Sequence, residues 1–323
     1  MTTNELVREG HLPAFDGAIE WINSDPLTPD GLRGRVVLVQ FWTYTCINWL
    51  RTLPYVRAWK ERYRDHGFVV VGVHTPEFGV EHDLDNVHRA VKAMGIDYPV
   101  VVDSEYAIWD AFANHYWPAA YYVDAEGAIR SHHFGEGEYD RQERAIQQLL
   151  REAGRTGIDR ELVSVTGSGA EAPADWGSLE TGESYVGWAR GEGFASPGGT
   201  AYDEGRDYTL PEDLRVGRFA LAGNWTIGRE SALSNEPGGR LAMRFHARDL
   251  HLVMGGPPSG FEVRLDGQAP GASHGIDVDE GGRGTVAEPR LYQLLRQPGP
   301  IVDRTFEITF DEPGAEAFVF TFG

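Results

Sequence analysis

The fold is decided by residues 35–51, which read RVVLVQFWTYTCINWLR. The apolar run Val36–Phe41 predicts a buried strand, and a helical pattern begins just after Cys46. This strand-to-helix junction is typical of a Cys-x-x-Cys redox motif, but Trp49 occupies the position of the second thiol. Cys46 is the only cysteine of the 323 residues, so the chain forms no internal disulfide. Any redox chemistry must therefore use one sulfur.

A single sulfur at this junction has two interpretations. The thiolate is the reactive form, and the N-terminus of a helix favours it through free backbone N–H groups. Residues three apart on a helix are neighbours, so the Trp49 indole either shields the Cys46 thiol or forms one wall of a binding pocket. Free cysteine is also among the most buried residue types. The spacing leaves a reactive and an inert Cys46 equally open.

Length and composition predict a two-domain globular protein. The 323 residues are 41% hydrophobic and 24% charged, and the 40 glycines and 18 prolines indicate many turns. The net charge of −20 argues against nucleic acid or an anionic membrane as a partner. No apolar run is long enough to cross a membrane. The start, Met1–Gly10, lacks the basic and then apolar stretch of a secretory signal, so the sequence as written predicts a cytoplasmic protein.

The pattern changes along the chain. Strands and helices alternate over residues 35–150, which predicts an α/β domain covering residues 1–155. The helix after Cys46 is expected to reach about Arg64 and to kink near Leu53, because Pro54 lies inside it. Residues 156–183 have the composition of a linker. Short alternating runs then recur over residues 184–323 and predict an antiparallel β-sandwich of the jelly-roll kind.

Several segments resemble known proteins. In the first half they are FWTYTCIN at 41–48, LRTLP at 50–54, HTPEF at 74–78, YWPA at 116–119 and GEGEY at 135–139. In the second half they are ARDLHLVMG at 247–255, HGIDVD at 274–279, RLYQLLRQ at 290–297 and FVFTFG at 318–323. The first half is similar to thioredoxin-fold proteins of the TlpA and alkyl-hydroperoxide-reductase type. Residues 12–323 resemble the C-terminal extracytoplasmic region of the DipZ family, a thioredoxin-like domain followed by a sandwich that resembles carbohydrate-binding modules.

The resemblance implies roles for particular residues. Cys46 would be the nucleophile, and Pro118 would be a cis-proline opposite the thiol. The backbone at Trp117 would pair with an incoming polypeptide in a short β-like contact. Because Trp49 replaces the resolving cysteine, an external thiol such as glutathione would have to release any mixed disulfide. The implied partners are thus a thiol- or disulfide-bearing protein or glutathione, and no cofactor is expected.

Other residues flank the expected thiol. Thr43 lies three residues before Cys46, Thr45 directly precedes it, and Glu77 follows a strand end on the side where the thiol should lie. Glu77 either moves protons to or from Cys46 or, as we favour, makes a hydrogen bond within its turn.

A one-cysteine peroxidase is a further hypothesis. Thr43 and Cys46 have the spacing of the Thr-x-x-Cys of peroxiredoxins, with Arg51 or Arg130 as the cation that would orient a peroxide. Val39, however, stands where that motif has a proline.

The remaining candidates concern metals and ligands of the second half. His82, His88, His132 and His133 form no His-x-x-x-His pair, so no metal site is predicted. The acidic stretch Asp277–Glu280 has incomplete calcium-loop spacing and is interpreted as a surface turn. Trp188, Trp225 and Tyr292 are either sugar-stacking residues or part of the core. The competing hypothesis is therefore a non-enzymatic protein that binds a glycan or a partner protein.

Overall fold

The computed structural model describes residues 6–323. The chain divides into two compact units, residues 1–171 and residues 172–323. The division falls inside the stretch 156–183 that the composition indicates as a linker. Half of the Met1–Gly10 segment used in the secretion argument lies outside the described residues. Among residues 6–323, no helix combines the length and the apolar character that crossing a bilayer requires.

Over residues 6–171, the first unit contains one seven-stranded sheet and five α-helices. The strands are β1 Gly10–His11, β2 Glu20–Ile22, β3 Val36–Trp42, β4 Phe68–His74, β5 Val100–Val102, β6 Ala119–Val123 and β7 Ala128–Phe134. The helices are α1 Ile47–Leu50, α2 Leu53–Tyr63, α3 Leu84–Ala93, α4 Ala107–Ala111 and α5 Tyr139–Glu152. Short 3₁₀ turns lie at Arg64–His66, Gly79–His82 and Gly169–Glu171. These bounds confirm the alternation of strands and helices predicted from the sequence.

The sheet order is β1-β7-β6-β3-β4-β5-β2. Strand β3 lies at the centre, where it runs parallel to β4 and antiparallel to β6. All seven residues of β3 are buried, because helices cover both faces of such a sheet and leave it no solvated side. The parallel strands β3, β4 and β5 all end at one edge of the sheet. Side chains in the loops that follow them therefore share one region, which is where α/β sheets place their sites.

The helix predicted after Cys46 is broken in two. Helix α1 ends at Leu50 and α2 begins at Leu53, with Pro54 in its first turn. Proline has no N–H to donate and clashes with the preceding turn, so it is tolerated only where a helix starts. The interruption near Leu53 confirms the predicted kink and leaves the segment after the cysteine only four residues long.

Residues 156–171 are anchored to the first unit. The Val163 N–H donates to a carboxylate oxygen of Glu143 at 2.8 Å, and the Gln147 side chain donates to the Glu161 carbonyl at 2.7 Å. Farther along, one guanidinium nitrogen of Arg57 contacts both carboxylate oxygens of Glu171 at 2.8 and 2.9 Å. This part of the expected linker is thus held against α5 and α2 by long-range hydrogen bonds.

The second unit is all β. Its eleven strands form one continuous, curled set in the order β15-β14-β17-β12-β10-β11-β18-β13-β16, with β8 on β18 and β9 on β10. The strands are β8 Ser184–Tyr185, β9 Gly205–Tyr208, β10 Arg218–Ile227, β11 Ala232–Ser234, β12 Arg240–Phe245, β13 Asp249–Gly255, β14 Ser259–Leu265, β15 Arg283–Val286, β16 Arg290–Arg296, β17 Arg304–Phe310 and β18 Glu316–Phe322. They pair antiparallel, as the alternating sequence predicts, and the arrangement is consistent with a β-sandwich.

Strand β10 joins the two halves of this sheet. Its first half, Arg218–Ala222, pairs with β12, and its second half pairs with β9 and β11. Gly223 lies between them with φ +88°, a backbone conformation that favours glycine, so the strand bends there. The inward-facing apolar residues of both halves, such as Phe219, Trp225 and Tyr292, then pack into one core.

Candidate functional site

The candidate site lies at the sheet edge where β3, β4 and β5 end. Trp42, the last residue of β3, pairs with His74, the last residue of β4. On the other side, Phe41 pairs with Ala119 of β6, and the Trp117–Pro118 peptide just before β6 is cis. The register thus brings the loop with Cys46 and the loop with Pro118 to the same end of the sheet.

Cys46 is the N-cap residue of α1. Its backbone is extended, with φ −75° and ψ 111°, and its carbonyl accepts the first helical hydrogen bond from Leu50 at 3.0 Å. Its own N–H donates to the Thr43 carbonyl at 3.3 Å, which closes a turn between the strand and the helix. The residue is 9% exposed. A thiol-reactive molecule therefore has only a narrow approach to the sulfur in this conformation.

Trp49 is a core residue. Its indole is fully buried and stacks on Trp42, with ring centroids 4.2 Å apart and an interplanar angle of 22°. The indole N–H donates to Gln40 at 3.2 Å, Gln40 donates to the Thr52 hydroxyl at 3.0 Å, and that hydroxyl donates to the Trp49 carbonyl at 2.7 Å. The second-thiol position is thus filled by a side chain that packs inward, and it leaves no exposed ring surface for a ligand.

A buried acid, Glu81, lies beside this loop and was not singled out in the sequence. The Thr45 hydroxyl donates to one of its carboxylate oxygens at 2.6 Å. The other oxygen accepts the backbone N–H groups of Glu77 and Phe78 at 2.5 and 3.0 Å. Thr43 also faces the carboxyl group, although within the described residues its hydroxyl meets no partner at hydrogen-bonding geometry. Glu77 itself contributes a backbone donor, as expected of a turn residue.

The environment of Glu81 raises its pKa to about 7. Burial is the main cause, because it penalises the charged form, and the nearby Glu77 carboxylate acts in the same direction. The hydroxyls of Thr43 and Thr45 and the backbone donor oppose this rise. No capping signature marks Glu81 in the sequence, because Phe78 stands three residues before it, where a capping box has Ser or Thr.

His74 is a second buried titratable group at this edge. Its ring packs edge-on against Trp42 at 4.9 Å and stacks on Tyr44 at 5.8 Å, both measured between ring centroids. Within residues 6–323, neither ring nitrogen has a hydrogen-bond partner. Burial lowers the pKa of His74 to about 3, so the imidazole is neutral at physiological pH.

The two arginines of the peroxidase hypothesis are both held in ion pairs. Arg51 is buried in an ion pair with Glu136 at 2.8 Å. Arg130 pairs with Asp124 and Glu152 and lies next to Ile129, whose partner Val123 pairs with Val37 at the start of β3. Because Cys46 follows the opposite end of β3, Arg130 is at the far edge of the sheet. Both arginines are thus held by carboxylates, and the described contacts assign neither of them to a peroxide.

The Trp117 side chain is fixed beside the cis peptide. Its indole N–H donates to the Thr75 carbonyl at 3.0 Å, and its ring packs against Trp109 with centroids 4.2 Å apart. The Pro118 carbonyl accepts the Gly135 N–H at 2.8 Å. The segment predicted to receive a polypeptide backbone is thus held from both sides.

The histidines named in the sequence are dispersed. His88 pairs with Glu20, and His132 pairs with Glu9. Across residues 6–323, no group of three or more His, Cys, Asp or Glu side chains is arranged to hold a metal ion. In the second unit, the Asp277 carboxylate accepts from the Arg290 guanidinium at 2.6 Å and from the Gln293 N–H at 2.7 Å.

The three aromatic candidates of the second unit differ in their exposure to solvent. Trp225 and Tyr292 are fully buried in the core. Trp188 is 36% exposed, and its ring lies 5.8 Å from that of Tyr202, which is 63% exposed. The Trp188 N–H donates to Asp203 at 3.0 Å, and the guanidinium of Arg229 lies 5.6 Å from its ring centroid.

The sheet topology of the first unit, the cysteine at the junction after the central strand and the cis-proline at the same edge define a thioredoxin-like protein. The comparisons make this more specific. Residues 181–323 match the family described as thioredoxin like C-terminal domain. Over 251 residues, 76% of this chain, the sequence is 37% identical to protein DipZ of Mycobacterium tuberculosis. The chain is a DipZ homologue, and the match covers 35% of the length of DipZ.

Two further matches concern the first unit. The thiol-disulfide oxidoreductase YkuV of Bacillus subtilis is 28% identical over 141 residues, which are 44% of this chain and 95% of YkuV. A solution structure of a thioredoxin-like protein in the oxidized form is 29% identical and covers 45% of this chain and 97% of its own, with a TM-score of 0.41. The sequence match to DipZ confirms the resemblance to thioredoxin-like and DipZ proteins seen in the sequence.

Proposed function

We propose that this protein performs thiol–disulfide exchange through one thiol, that of Cys46. The observation that carries the proposal is the position of the sole cysteine, which caps α1 at the sheet edge that also holds the cis Trp117–Pro118 peptide. The similarity to a thiol-disulfide oxidoreductase over the first unit supports the same chemistry.

The exchange takes two steps. The Cys46 thiolate attacks one sulfur of a substrate disulfide, a bond forms between Cys46 and that sulfur, and the other substrate sulfur leaves as a thiolate. Because Trp49 stands where a resolving cysteine would be, a second molecule has to complete the cycle. An external thiolate attacks the substrate sulfur of the mixed disulfide and releases Cys46 as a thiolate. The net result exchanges one disulfide for another, with no further oxidant or reductant.

The neighbouring residues have distinct proposed roles. Thr43, Thr45 and Glu77 surround the loop of the nucleophile, and Trp49 keeps that loop packed on the core. The backbone at Trp117 and Pro118 offers the surface along which an extended polypeptide carrying a thiol or disulfide would lie. Glutathione is the small-molecule partner that this scheme favours for release.

Incubation of the native protein with glutathione disulfide tests the proposal. We expect one glutathionyl group per chain by intact-protein mass spectrometry, reversed by added thiol and absent in Cys46→Ser. Iodoacetamide labelling over a range of pH then measures the reactivity of the thiol itself. If Cys46 becomes modified only after unfolding, the protein is redox-inactive and the proposal is wrong.

A second candidate function rests on the exposed rings of Trp188 and Tyr202. We propose the second unit as a jelly-roll sandwich resembling carbohydrate-binding modules, with these rings as a platform for a glycan. Asp203 holds the indole orientation and, with Arg229, adds polar groups of the kind that bind sugar hydroxyls. Glycan-array binding that is lost in Trp188→Ala and kept in Trp176→Ala, a substitution of another exposed tryptophan, is the expected result. Equal binding by both variants, or none by the wild type, would contradict it.

A further inference from the structure

Glu81 connects two loops that meet at the site. It lies in the 3₁₀ turn Gly79–His82 after β4 and is fully buried. Its second oxygen accepts two N–H groups of its own loop, which is the ordinary work of a capping carboxylate. Its first oxygen accepts the hydroxyl of Thr45, a residue 36 positions earlier that directly precedes Cys46. The loop that carries the thiol is thus tied to the loop after β4 by this buried carboxylate, and the Tyr44 hydroxyl adds a second link by donating to the Val80 carbonyl at 3.1 Å.

The tie depends on the charge of the carboxyl group. A hydrogen bond to an ionised carboxylate is about twice as strong as one between neutral groups. A buried carboxylate without compensating donors is unfavourable, and here three donors converge on the two oxygens. Protonation of Glu81 therefore replaces a charge-assisted contact to Thr45 with a weaker neutral one, and it loosens the turn that holds Cys46.

We propose that Glu81 is a positioning residue for Cys46, which in its ionised form fixes the thiol-bearing loop through Thr45 and in its protonated form releases it. The inference rests on the proposed exchange chemistry of Cys46. The turn between β3 and α1, closed by the Cys46 N–H on the Thr43 carbonyl, is the element that moves. Cys46 is 9% exposed when the loop is fixed, and release of the loop exposes its sulfur to a substrate disulfide.

The groups around Glu81 make this change accessible near neutral pH. Burial, together with the Glu77 carboxylate of the same loop, holds the pKa of Glu81 at about 7. From the loop after β3, the hydroxyls of Thr43 and Thr45 act against them, and Tyr44 and Cys46 are the titratable side chains there. His74, at the end of β4, is buried and neutral. Small changes of pH therefore shift Glu81 between the two forms.

The test measures the rate of iodoacetamide reaction with Cys46 in the native full-length chain between about pH 5 and about pH 9, a range that covers both titrations. In the wild type we expect the alkylation rate to show a step near pH 7 in addition to the rise caused by ionisation of the thiol. On the acid side of this step, the rate should be about tenfold higher than thiol ionisation alone would give. A factor of this size corresponds to the loss of one charge-assisted hydrogen bond. Glu81→Gln, which keeps the shape of the side chain, should lose the step. Thr45→Val should lose it as well.

Glu77→Gln is the matched control, because it removes a neighbouring charge and leaves Glu81 in place. Its step should move to lower pH, since the Glu77 carboxylate raises the pKa of Glu81. If the wild type, Glu81→Gln and Glu77→Gln all gave the same pH profile with a reactive Cys46, the positioning role of Glu81 would be overturned. The proposed exchange function would not be affected by that result. A wild-type thiol that is unreactive across the whole range would instead refute the proposed exchange function. If Glu81→Gln does not fold, a step that stays unmoved in Glu77→Gln overturns the inference.

Discussion

Restoring the Cys-x-x-Cys spacing with Trp49→Cys would also remove a fully buried indole from the core. Replacing a buried tryptophan with a small residue destabilises a protein by about 3–5 kcal/mol. The substitution also leaves the Gln40 oxygen without its 3.2 Å donor, which adds about 1–3 kcal/mol. The sum, about 4–8 kcal/mol, is comparable to the whole free energy of unfolding of a typical domain, about 5–15 kcal/mol. We therefore expect Trp49→Cys to be largely unfolded and to gain no disulfide reductase activity.

The assay uses the sole cysteine as a local probe. In urea, an alkylation pulse too brief to label native Cys46 reports the unfolding of the first unit without interference from the second, because no other thiol is present. Trp49→Ala, which keeps a single thiol, should lower the free energy of unfolding by about 4–8 kcal/mol. Trp49→Phe keeps a ring against Trp42 and loses the indole N–H, so we expect about 1–3 kcal/mol.

Trp188→Ala, at an exposed position of the second unit, should leave this transition unchanged and serves as the control. A Trp49→Ala variant within about 1 kcal/mol of the wild type would refute the reasoning, because the indole would then contribute no more than a surface side chain.

Three further predictions concern buried ionisable groups. The pKa of His74 falls from 6.5 to about 3 on folding, so its contribution of about 5 kcal/mol to the free energy of unfolding is complete above pH 6.5 and is lost as the pH falls toward 3. Urea denaturation at several pH values should show that His74→Leu removes this loss of stability in acid. The pKa of Glu81 rises from 4.5 to about 7, so its contribution of about 3 kcal/mol is complete below pH 4.5 and is lost as the pH rises to 7; Glu81→Gln should remove that loss, measured the same way. Arg51→Met leaves Glu136 buried without its cation and should destabilise by about 3–5 kcal/mol at pH 8, and by less at pH 5, where Glu136 is more readily protonated; equal losses at both values would contradict this.

The elements of the first unit were predictable because they depend on local pattern. Apolar runs such as Val36–Phe41 allow no solvated face, and Pro54 interrupts a helix wherever it occurs. The second unit was predictable for the same reason, since its alternating runs specify strands. The anchored course of residues 156–171 was not predictable, because it depends on single long-range contacts such as Arg57 with Glu171, which composition does not reveal.

The site also contains residues that the sequence predicted and residues that it did not. The sequence led to Cys46 and the cis Trp117–Pro118 peptide through motif spacing and resemblance. It led to Glu77, which lies shortly after the end of β4, and it did not single out Glu81, which the turn at Gly79–His82 buries. His74 escaped attention because it ends an otherwise apolar strand, where its burial depends on the rings of Trp42, at the end of β3, and Tyr44, in the loop that follows.

Trp49, which occupies the position of the second thiol, interacts with several other core residues. Restoring that thiol would therefore affect more than one side chain. Trp49 stacks on Trp42, and its N–H is the donor to Gln40, whose own amide reaches Thr52. A cysteine at position 49 would leave both the stacked ring and the glutamine without their partners, so a working dithiol requires coordinated changes at positions 40, 42 and 49. A double-mutant cycle between Gln40→Leu and Trp49→Phe should give a coupling free energy of about 0.5–3 kcal/mol, as expected for residues in one hydrogen-bonded network. Because this coupled tryptophan holds position 49, any exchange at Cys46 depends on an external thiol for resolution.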